Sequence, residues 1–150
     1  GAIFQVWLPI SNATPEPVET RSTKGSLATG TETILVVDDD PDVRGLLTLV
    51  LTTCGYTCLQ ACSGEEALEV YDHQSENNAI DLLLTDVRMG EMSGVDLAEK
   101  VRARQREMKL LFISAQVNKK DLKNAPVAPF IRKPISATKL ARQVRTTLDQ

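Results

Sequence analysis

Short apolar runs alternate with amphipathic stretches along most of this chain. Five such runs, rich in Val, Ile and Leu and with little polar alternation, cover residues 34–37, 57–61, 80–85, 110–114 and 130–132. Runs of this length and composition are typical of strands that are buried on both faces of a sheet. The pattern therefore predicts five strands.

Between these runs, apolar residues recur at helical spacing. The first stretch has them at i, i+3, i+4, i+7 and i+8 and is followed by Gly55, which predicts a helix that ends there; the residues are Val43, Leu46, Leu47, Val50 and Leu51. Two further helices, over about 63–73 and 93–107, begin at a Ser that precedes an acidic residue by three positions. A last helix begins at Ser136. Between residues 116 and 129 apolar anchors are few, so the fourth helix in chain order is predicted to be shortened or frayed.

Strands and helices that alternate in this way predict an α/β fold, a doubly wound parallel sheet with helices on both faces. The predicted domain covers residues 33–150, because residues 11–32 are rich in Ser, Thr, Pro, Gly and Glu and are typical of a flexible linker. Before the linker, residues 1–10 have the alternation of a single strand that ends near Pro9. One strand is not a domain, so we expect residues 1–10 to be the remnant of an upstream domain.

The composition narrows the choice of partners and location. The chain has 150 residues, with 17 Lys and Arg against 20 Asp and Glu, so its charge gives no general reason to expect a nucleic acid partner. Four basic residues near the end of the third helix are interpreted as a solvated helix face; they are Arg102, Arg104, Arg106 and Lys109. No apolar run reaches the ~20 residues that cross a bilayer, and the three Cys residues are interpreted as small buried side chains rather than metal ligands. We therefore expect a cytoplasmic location without membrane contact.

Polar side chains occupy the carboxyl ends of four of the predicted strands. In chain order they are Asp38 and Asp39, Asp86, Ser114 and Lys133. Because ligands of an open parallel sheet bind at this edge, we expect these side chains to converge. Neighbouring carboxylates repel one another, and oxygen ligands without thiol or imidazole favour a hard ion such as Mg²⁺, which also accepts phosphate oxygens. With a lysine beside it, the set predicts phosphoryl transfer.

A simpler interpretation gives part of this set a structural role. Asp residues between 39 and 42 also suit the first turn of the first helix, where they can act as caps, and Asp86 can begin a loop. Capping does not explain why a hydroxyl and a lysine arrive at the same edge of the sheet. The site interpretation is therefore preferred.

Five segments, in their order and spacing, resemble the receiver domain of two-component response regulators. They are ILVVDDDPDVRGLL, SGEEALEVY, IDLLLTDVRMGEMSGVDL, LLFISA and FIRKPIS, and the resemblance extends from residue 33 to residue 150. It implies a flavodoxin-like receiver fold with strand order 2-1-3-4-5. Residues 1–10, GAIFQVWLPI, resemble the closing strand of a histidine-kinase ATP-binding domain. Together the two resemblances imply the C-terminal receiver of a hybrid sensor histidine kinase.

The resemblance implies a role for each acidic residue of the site. Asp86 matches the residue that accepts a phosphoryl group from a phosphohistidine in a phosphorelay. Mg²⁺ is expected to be held by Asp38, Asp39, Asp86 and the backbone carbonyl of Arg88. Such a domain is not an enzyme by itself, because it turns over no substrate beyond the slow loss of its own phosphoryl group.

The resemblance also implies a conformational switch. Ser114 and Lys133 match the hydroxyl and the ammonium that bind phosphoryl oxygens, and Phe130 matches an aromatic switch residue. Phosphorylation draws Ser114 inward and leaves space for the Phe130 ring. Because an apolar ring has no hydroxyl to satisfy, we expect Phe130 to favour the buried rotamer even without phosphate. The peptide bond after Lys133 is often cis in the family.

Two other functions are kept as alternatives. Haloacid-dehalogenase phosphatases also use an Asp nucleophile and Mg²⁺, in an Asp-x-Asp motif that Asp38, Asp39 and Asp40 match, although Asp42 stands where that family has Thr or Val. The other alternative is an interaction domain that is never phosphorylated. The expected partner of a receiver is a histidine kinase or a histidine phosphotransfer protein, including the kinase core of the same parent chain. No direct contact with nucleic acid is expected, and any membrane anchor belongs to the parent kinase.

Overall fold

The computed structural model describes residues 28–74, 80–115 and 126–150. Five strands and four helices lie in these ranges. The strands are β1 (Thr33–Val37), β2 (Thr57–Ala61), β3 (Leu82–Asp86), β4 (Lys109–Ser114) and β5 (Phe130–Arg132). The helices are α1 (Pro41–Thr53), α2 (Gly64–Gln74), α3 (Gly94–Arg104) and α4 (Ala137–Leu148).

Three predictions fall wholly or largely outside the described residues. They concern the kinase remnant at 1–10, most of the linker at 11–32, and the shortened helix between 116 and 129, of which residues 116–125 are not described. Within the described ranges, no helix combines the length and the apolar character needed to cross a membrane.

All five strands form one parallel sheet in the order β2-β1-β3-β4-β5. This confirms the predicted doubly wound α/β fold and its strand order. The order reverses at β1, because the chain passes first to β2 on one side and then to β3 on the other. The register pairs Val37 with Thr85, so Asp38 and Asp86, which follow these residues, come to lie side by side.

The sheet is covered by helices on both faces. Since alternate residues of a strand point to opposite sides, both sets of side chains are buried. From β1, Leu35 and Val37 pack in the cluster that includes α2 and α3 residues. Ile34 and Val36 pack on the other face in the cluster that includes α1 and α4 residues. These four side chains are buried, which explains why the sequence of this strand is apolar without alternation.

The ends of α1 define the backbone next to the carboxyl edge of β1. The N-cap is Asp40, whose carboxylate accepts hydrogen bonds from the backbone N–H groups of Asp42 and Val43 at 2.9 and 3.3 Å. At the other end Cys54 is the C-cap, and Gly55 follows with a φ of 95°, a left-handed conformation that favours glycine. Local chemistry therefore fixes both ends of this helix, and its end at Gly55 is the one that the sequence predicts.

The end predicted for α3 is wrong. The helix ends at Arg104 rather than near residue 107, and Gln105 has extended backbone angles. A turn follows, in which the Met108 N–H donates to the Gln105 carbonyl at 3.2 Å. This turn places the Met108 side chain in the core, where it is buried, before β4 begins at Lys109.

The prediction that all three cysteines are buried is also wrong. Cys54, at the end of α1, is buried, Cys58 is partly buried and Cys62 is exposed. Burial raises the pKa of the Cys58 thiol to about 11. Cys62 follows β2, which lies at an edge of the sheet. Fewer side chains cover an edge strand than the inner strands, which is consistent with the exposure of Cys62.

Candidate functional site

Four of the five parallel strands bring a predicted site residue to the carboxyl edge of the sheet. Asp38 and Asp39 follow β1, and Asp86 is the last residue of β3. Ser114 ends β4, and Lys133 follows β5. The backbone N–H of Lys133 donates to the Ser114 carbonyl at 2.9 Å, which fixes the chain beyond β5 against β4. The order of the sheet thus gathers residues that are distant in sequence.

Lys133 joins the two strands that carry the carboxylates. Its Nζ donates to Asp38 Oδ2 at 2.9 Å and to Asp86 Oδ2 at 3.2 Å. The Asp38 side chain is completely buried, so its negative charge needs a partner of this kind. Burial lowers the pKa of Lys133, but the hydrogen bond to Asp38 and the charge of Asp86 outweigh it and raise the pKa of this lysine. The ammonium therefore stays charged between two acidic groups.

Asp86 is held by one hydrogen bond to each of its carboxylate oxygens. Oδ1 accepts the backbone N–H of Val87 at 2.8 Å, and Oδ2 accepts Lys133. Burial raises the pKa of Asp86, Lys133 opposes the rise, and the neighbouring Asp38 adds to it, so the pKa lies above its ordinary value. Burial has thus removed part of the hydration of this carboxylate.

Asp38, Asp39 and Asp86 form an acidic cluster that suits a metal ion. Each offers a carboxylate oxygen, and these oxygens lie within 4.8 Å of one another. The donors are all oxygens, as hard cations such as Mg²⁺ prefer. Arg88, whose backbone carbonyl is the predicted fourth protein ligand, lies two positions after Asp86 and has an exposed side chain. The cluster is open at Asp39, which is exposed.

The capping interpretation applies to one residue of the acidic run. Asp40 caps α1, as described above, whereas Asp38 and Asp39 belong to the acidic cluster. Asp38 also accepts the backbone N–H of Asp40 at 3.0 Å through Oδ1. The three consecutive aspartates therefore divide into two site residues and one helix cap.

Ser114 and Phe130 differ in burial. Ser114 is buried at the end of β4, while the ring of Phe130 is 49% exposed. The structure thus places Phe130 in an exposed position rather than in the expected buried rotamer. Along β5 only the middle residue, Ile131, is buried; it packs in the cluster that includes α1 and α4 residues, while its two neighbours point to the opposite face of this edge strand. The peptide bond after Lys133 is cis.

Sequence reasoning missed three residues that contact the site. Arg44 donates from Nη1 to the Asp38 carbonyl at 2.5 Å. Thr85 donates from Oγ1 to the Asp86 carbonyl at 2.9 Å. Gly94 packs against that same carbonyl so closely that a Cβ would lie 1.9 Å from its oxygen. The sequence shows Arg44 one turn into α1 and Thr85 as a polar residue inside an apolar strand. Their contacts depend on side-chain directions, which the sequence pattern does not give.

A family model described as the response regulator receiver domain matches residues 34–145. Among curated proteins, the sensor kinase CckA of Brucella abortus (strain 2308) is 31% identical over 160 residues, and the match covers 100% of this chain but 17% of that kinase. The chain thus corresponds to a small part of this relative.

The solved structures that are similar to the chain include two of particular relevance to its site. The crystal structure of the receiver domain of hybrid histidine kinase CckA has a TM-score of 0.66 and 33% identity, and covers 77% of this chain and 98% of its own. The response regulator TrrA of Thermotoga maritima, in complex with Mg²⁺ and BeF, has a TM-score of 0.66 and 28% identity, and covers 78% of this chain and 99% of its own.

Proposed function

Since the chain belongs to the response regulator receiver domain family of two-component signalling, we propose that Asp86 is the residue on which it accepts a phosphoryl group. One observation carries the proposal. The Asp86 carboxylate lies in a cluster with two other carboxylates and contacts the Lys133 ammonium, at the edge of the sheet where ligands of such folds bind. Nucleophile, counter-charge and candidate metal ligands are thus in one place.

Mg²⁺ is the proposed cofactor. Asp38, Asp39, Asp86 and the backbone carbonyl of Arg88 would hold it, and the all-oxygen cluster fits that choice. When bound, Mg²⁺ supplies positive charge that reduces the repulsion between these carboxylates and the incoming phosphoryl oxygens.

The proposed reaction transfers a phosphoryl group from a phosphohistidine of a partner to Asp86. A carboxylate oxygen of Asp86 attacks phosphorus, a P–O bond forms and the P–N bond to the imidazole breaks, with its electron pair remaining on the imidazole nitrogen. The other nitrogen of the phosphohistidine ring carries a proton when the P–N bond breaks, so the products are an aspartyl phosphate and a neutral histidine and the step balances. The protein contributes mainly by positioning the carboxylate and neutralising charge.

Lys133 and Ser114 are proposed to bind the new phosphoryl oxygens. Lys133 already lies against the carboxylate that would carry the group, so it can shift from Asp86 to a phosphoryl oxygen without crossing the site. Ser114 is proposed to move toward the phosphoryl group and to leave space for Phe130. Because that ring is exposed in this structure, the proposed switch runs from an exposed to a buried ring.

The proposed partner is a histidine kinase or a histidine phosphotransfer protein, since receiver domains of two-component systems interact with such proteins. An apolar groove of about 260 Å³ between α1 and the start of α4 fits a helix of that partner. Lys133 lines this groove and also contacts Asp86. A helix seated there would therefore present a phosphohistidine next to the proposed acceptor. Besides Lys133, the groove is lined by Val43, Leu46, Leu47, Val50, Pro134, Ile135, Ser136, Ala137 and Leu140.

We also propose that the chain is part of a hybrid sensor kinase. The similarity to CckA, which extends over the whole chain, supports this parent. The proposed donor then includes the kinase core of the same protein, and the proposed location is the cytoplasm.

The phosphatase alternative is disfavoured by the contacts of its motif. The second Asp of the Asp-x-Asp motif, Asp40, caps α1 with its carboxylate. Asp38, which would be the nucleophile, is fully buried and bound to Lys133. Members of the receiver family are generally not catalytic beyond their own dephosphorylation, and we propose the same for this chain. An interaction domain that is never phosphorylated is less favoured, because the acidic cluster and the contact between Lys133 and Asp86 suit phosphoryl transfer.

Labelling with a small phosphodonor tests the proposal. Incubation with acetyl phosphate and Mg²⁺ is expected to add one phosphoryl group per chain, measured by intact mass and by a phosphate-affinity gel. Asp86→Asn is expected to abolish the label, because it removes the nucleophilic oxygen. Asp42→Asn is the matched control, since Asp42 is an exposed acidic residue near the site that lies outside the acidic cluster.

Two results would count against the proposal. One is an unlabelled wild type at millimolar Mg²⁺, and the other is equal labelling of the wild type and Asp86→Asn. A label that is lost in Asp38→Asn but kept in Asp86→Asn would instead favour the phosphatase alternative.

A further inference from the structure

The backbone carbonyl of Asp86 is held by two residues that have no part in the proposed reaction. Thr85 is 1% exposed, and its hydroxyl donates to that carbonyl at 2.9 Å. On the other side, a Cβ on Gly94 would lie 1.9 Å from the carbonyl oxygen and 2.8 Å from Thr85 Oγ1. A hydroxyl and a glycine thus enclose one end of the peptide that links Asp86 to Val87.

The other end of this peptide is held equally firmly. The Val87 N–H donates to the Ile113 carbonyl of β4 at 2.9 Å and to Asp86 Oδ1 at 2.8 Å. Because a peptide group is planar, contacts at both its oxygen and its N–H fix the whole plane. The same plane orients the Asp86 carboxylate, since its N–H is bound to Oδ1.

Thr85 can serve only one acceptor at a time, because its hydroxyl has one proton. The alternative acceptor is Met89 Sδ at 3.9 Å, which is weaker and more distant than the Asp86 carbonyl. The Thr85 hydroxyl therefore donates its proton to the backbone carbonyl of Asp86.

We propose that Thr85 and Gly94 are positioning residues that hold the 86–87 peptide so that the Asp86 carboxylate points at the incoming phosphorus. The inference rests on the proposed role of Asp86 as phosphoacceptor. Loss of the hydroxyl removes one of the contacts at the oxygen end, so the plane can rotate and the carboxylate spends less time aligned with the donor.

Thr85→Val tests the hydroxyl, because valine keeps the shape of the side chain and removes the donor. The rate constant of labelling by acetyl phosphate at saturating Mg²⁺ is expected to fall about tenfold, as reactions do when a reacting group is misaligned by a fraction of an ångström. Thr85→Ser restores the hydroxyl and is expected to recover the rate to within about threefold of wild type.

Thr147→Val is the matched control. Thr147 is 2% exposed, and its hydroxyl donates to the Gln143 carbonyl at 2.8 Å on α4, so it is as buried as Thr85 and bonds a carbonyl in the same way. Both Val variants are expected to lose stability in urea unfolding, but only Thr85→Val is expected to label slowly. A purely structural role would leave the two labelling rates equal.

Gly94→Ala tests the second contact. Its Cβ forces the Asp86 carbonyl to move by about 1 Å, a displacement that is expected to slow labelling about 100-fold. Gly45→Ala is its control, because a Cβ on Gly45 has no atom within 4 Å. Amide NMR spectra of each variant report whether the fold is intact.

The outcomes separate this inference from the proposed function. An unlabelled wild type overturns the role of Asp86 itself. A labelled wild type with an equally fast Thr85→Val, or a Thr85→Ser as slow as Thr85→Val, overturns the positioning role alone. Slow labelling by Thr85→Val with recovery in Thr85→Ser supports it.

Discussion

Asp38, Asp86 and Lys133 lie together at the carboxyl edge of the sheet, and one ammonium group there faces two carboxylates. Lys133 offsets the charges of Asp38 and Asp86, but its side chain is closer to Asp38, at 2.9 Å, than to Asp86, at 3.2 Å. Burial therefore keeps the pKa of Asp86 raised. A raised folded-state pKa means that the ionised Asp86 opposes folding, since the unfolded chain ionises more readily.

Neutralising Asp86 is therefore expected to stabilise the fold. At neutral pH and without divalent metal, Asp86→Asn is predicted to increase the free energy of unfolding by about 1 kcal/mol, a common gain when a functional group that opposes folding is removed. As pH falls through the pKa of Asp86, the wild-type carboxylate takes up a proton and the difference between the two proteins shrinks. Urea unfolding at a series of pH values measures both quantities.

Asp42→Asn provides the comparison for this prediction. Asp42 lies in the first turn of α1, where a negative charge stabilises the helix, so its loss is expected to lower stability slightly. If Asp86→Asn were less stable than wild type at neutral pH, the conclusion that the partly desolvated charge of Asp86 destabilises the fold would be wrong.

The side chains that converge at the sheet edge could be predicted because parallel strands place their carboxyl ends together. This holds for Asp38, Asp39, Asp86 and Lys133. The exposure of Phe130 could not be predicted. On an edge strand of three residues, the burial of an aromatic side chain depends on which tertiary neighbours lie beside it. Arg44 was missed for a related reason, since its contact is made to a backbone carbonyl.

At the scale of elements, α1 serves both the site and the surface beside it. Its N-cap follows directly on the acidic residues of β1, and one of its faces lines the groove that reaches Lys133. Two leucines of α1 are exposed, Leu46 by 56% and Leu49 by 64%. Only Leu46 lines the groove, so the pair separates a docking role from mere exposure.

Leu46→Asp is expected to slow phosphotransfer from a phosphorylated histidine phosphotransfer protein about tenfold, the effect of losing one packed apolar anchor at an interface. Labelling by acetyl phosphate, which needs no docking helix, is expected to stay unchanged. Quench-flow or gel time courses with both donors measure the two rates.

Leu49→Asp is the matched control and is expected to behave like wild type with both donors. Equal slowing by Leu46→Asp and Leu49→Asp would argue against the groove as the docking surface. Slower labelling of Leu46→Asp by acetyl phosphate would indicate damage to the site instead.

Most elements could be predicted because their signals are local. The five strands follow from apolar runs and α1 from its periodicity and Gly55, and all lie close to the expected positions. The end of α3 could not be predicted in the same way, since a turn follows it before Met108 is buried in the core. The periodicity of a helix does not show which residue after it will be buried in the core.

For the whole molecule, the sheet order explains why so few residues suffice for a signalling site. Placing β1 next to β3, with β4 and β5 beyond, brings two acidic ends, a hydroxyl and a lysine to one edge. β5 and α4 are the last two elements of the chain, and we propose that a change at this edge reaches the surface through them. The charge of the whole chain, −3, is less informative than where three of its aspartates lie.

The most direct test of the central claim is phosphotransfer from a phosphohistidine. A panel of histidine kinases and histidine phosphotransfer proteins, each carrying radiolabelled phosphohistidine, is mixed with the wild type or Asp86→Asn in the presence of Mg²⁺. We predict that at least one donor loses its label to the wild type, that hydroxylamine releases it as an acyl phosphate, and that Asp86→Asn accepts none. Transfer to Asp86→Asn at the wild-type rate, or no transfer to the wild type from any donor, would contradict the account.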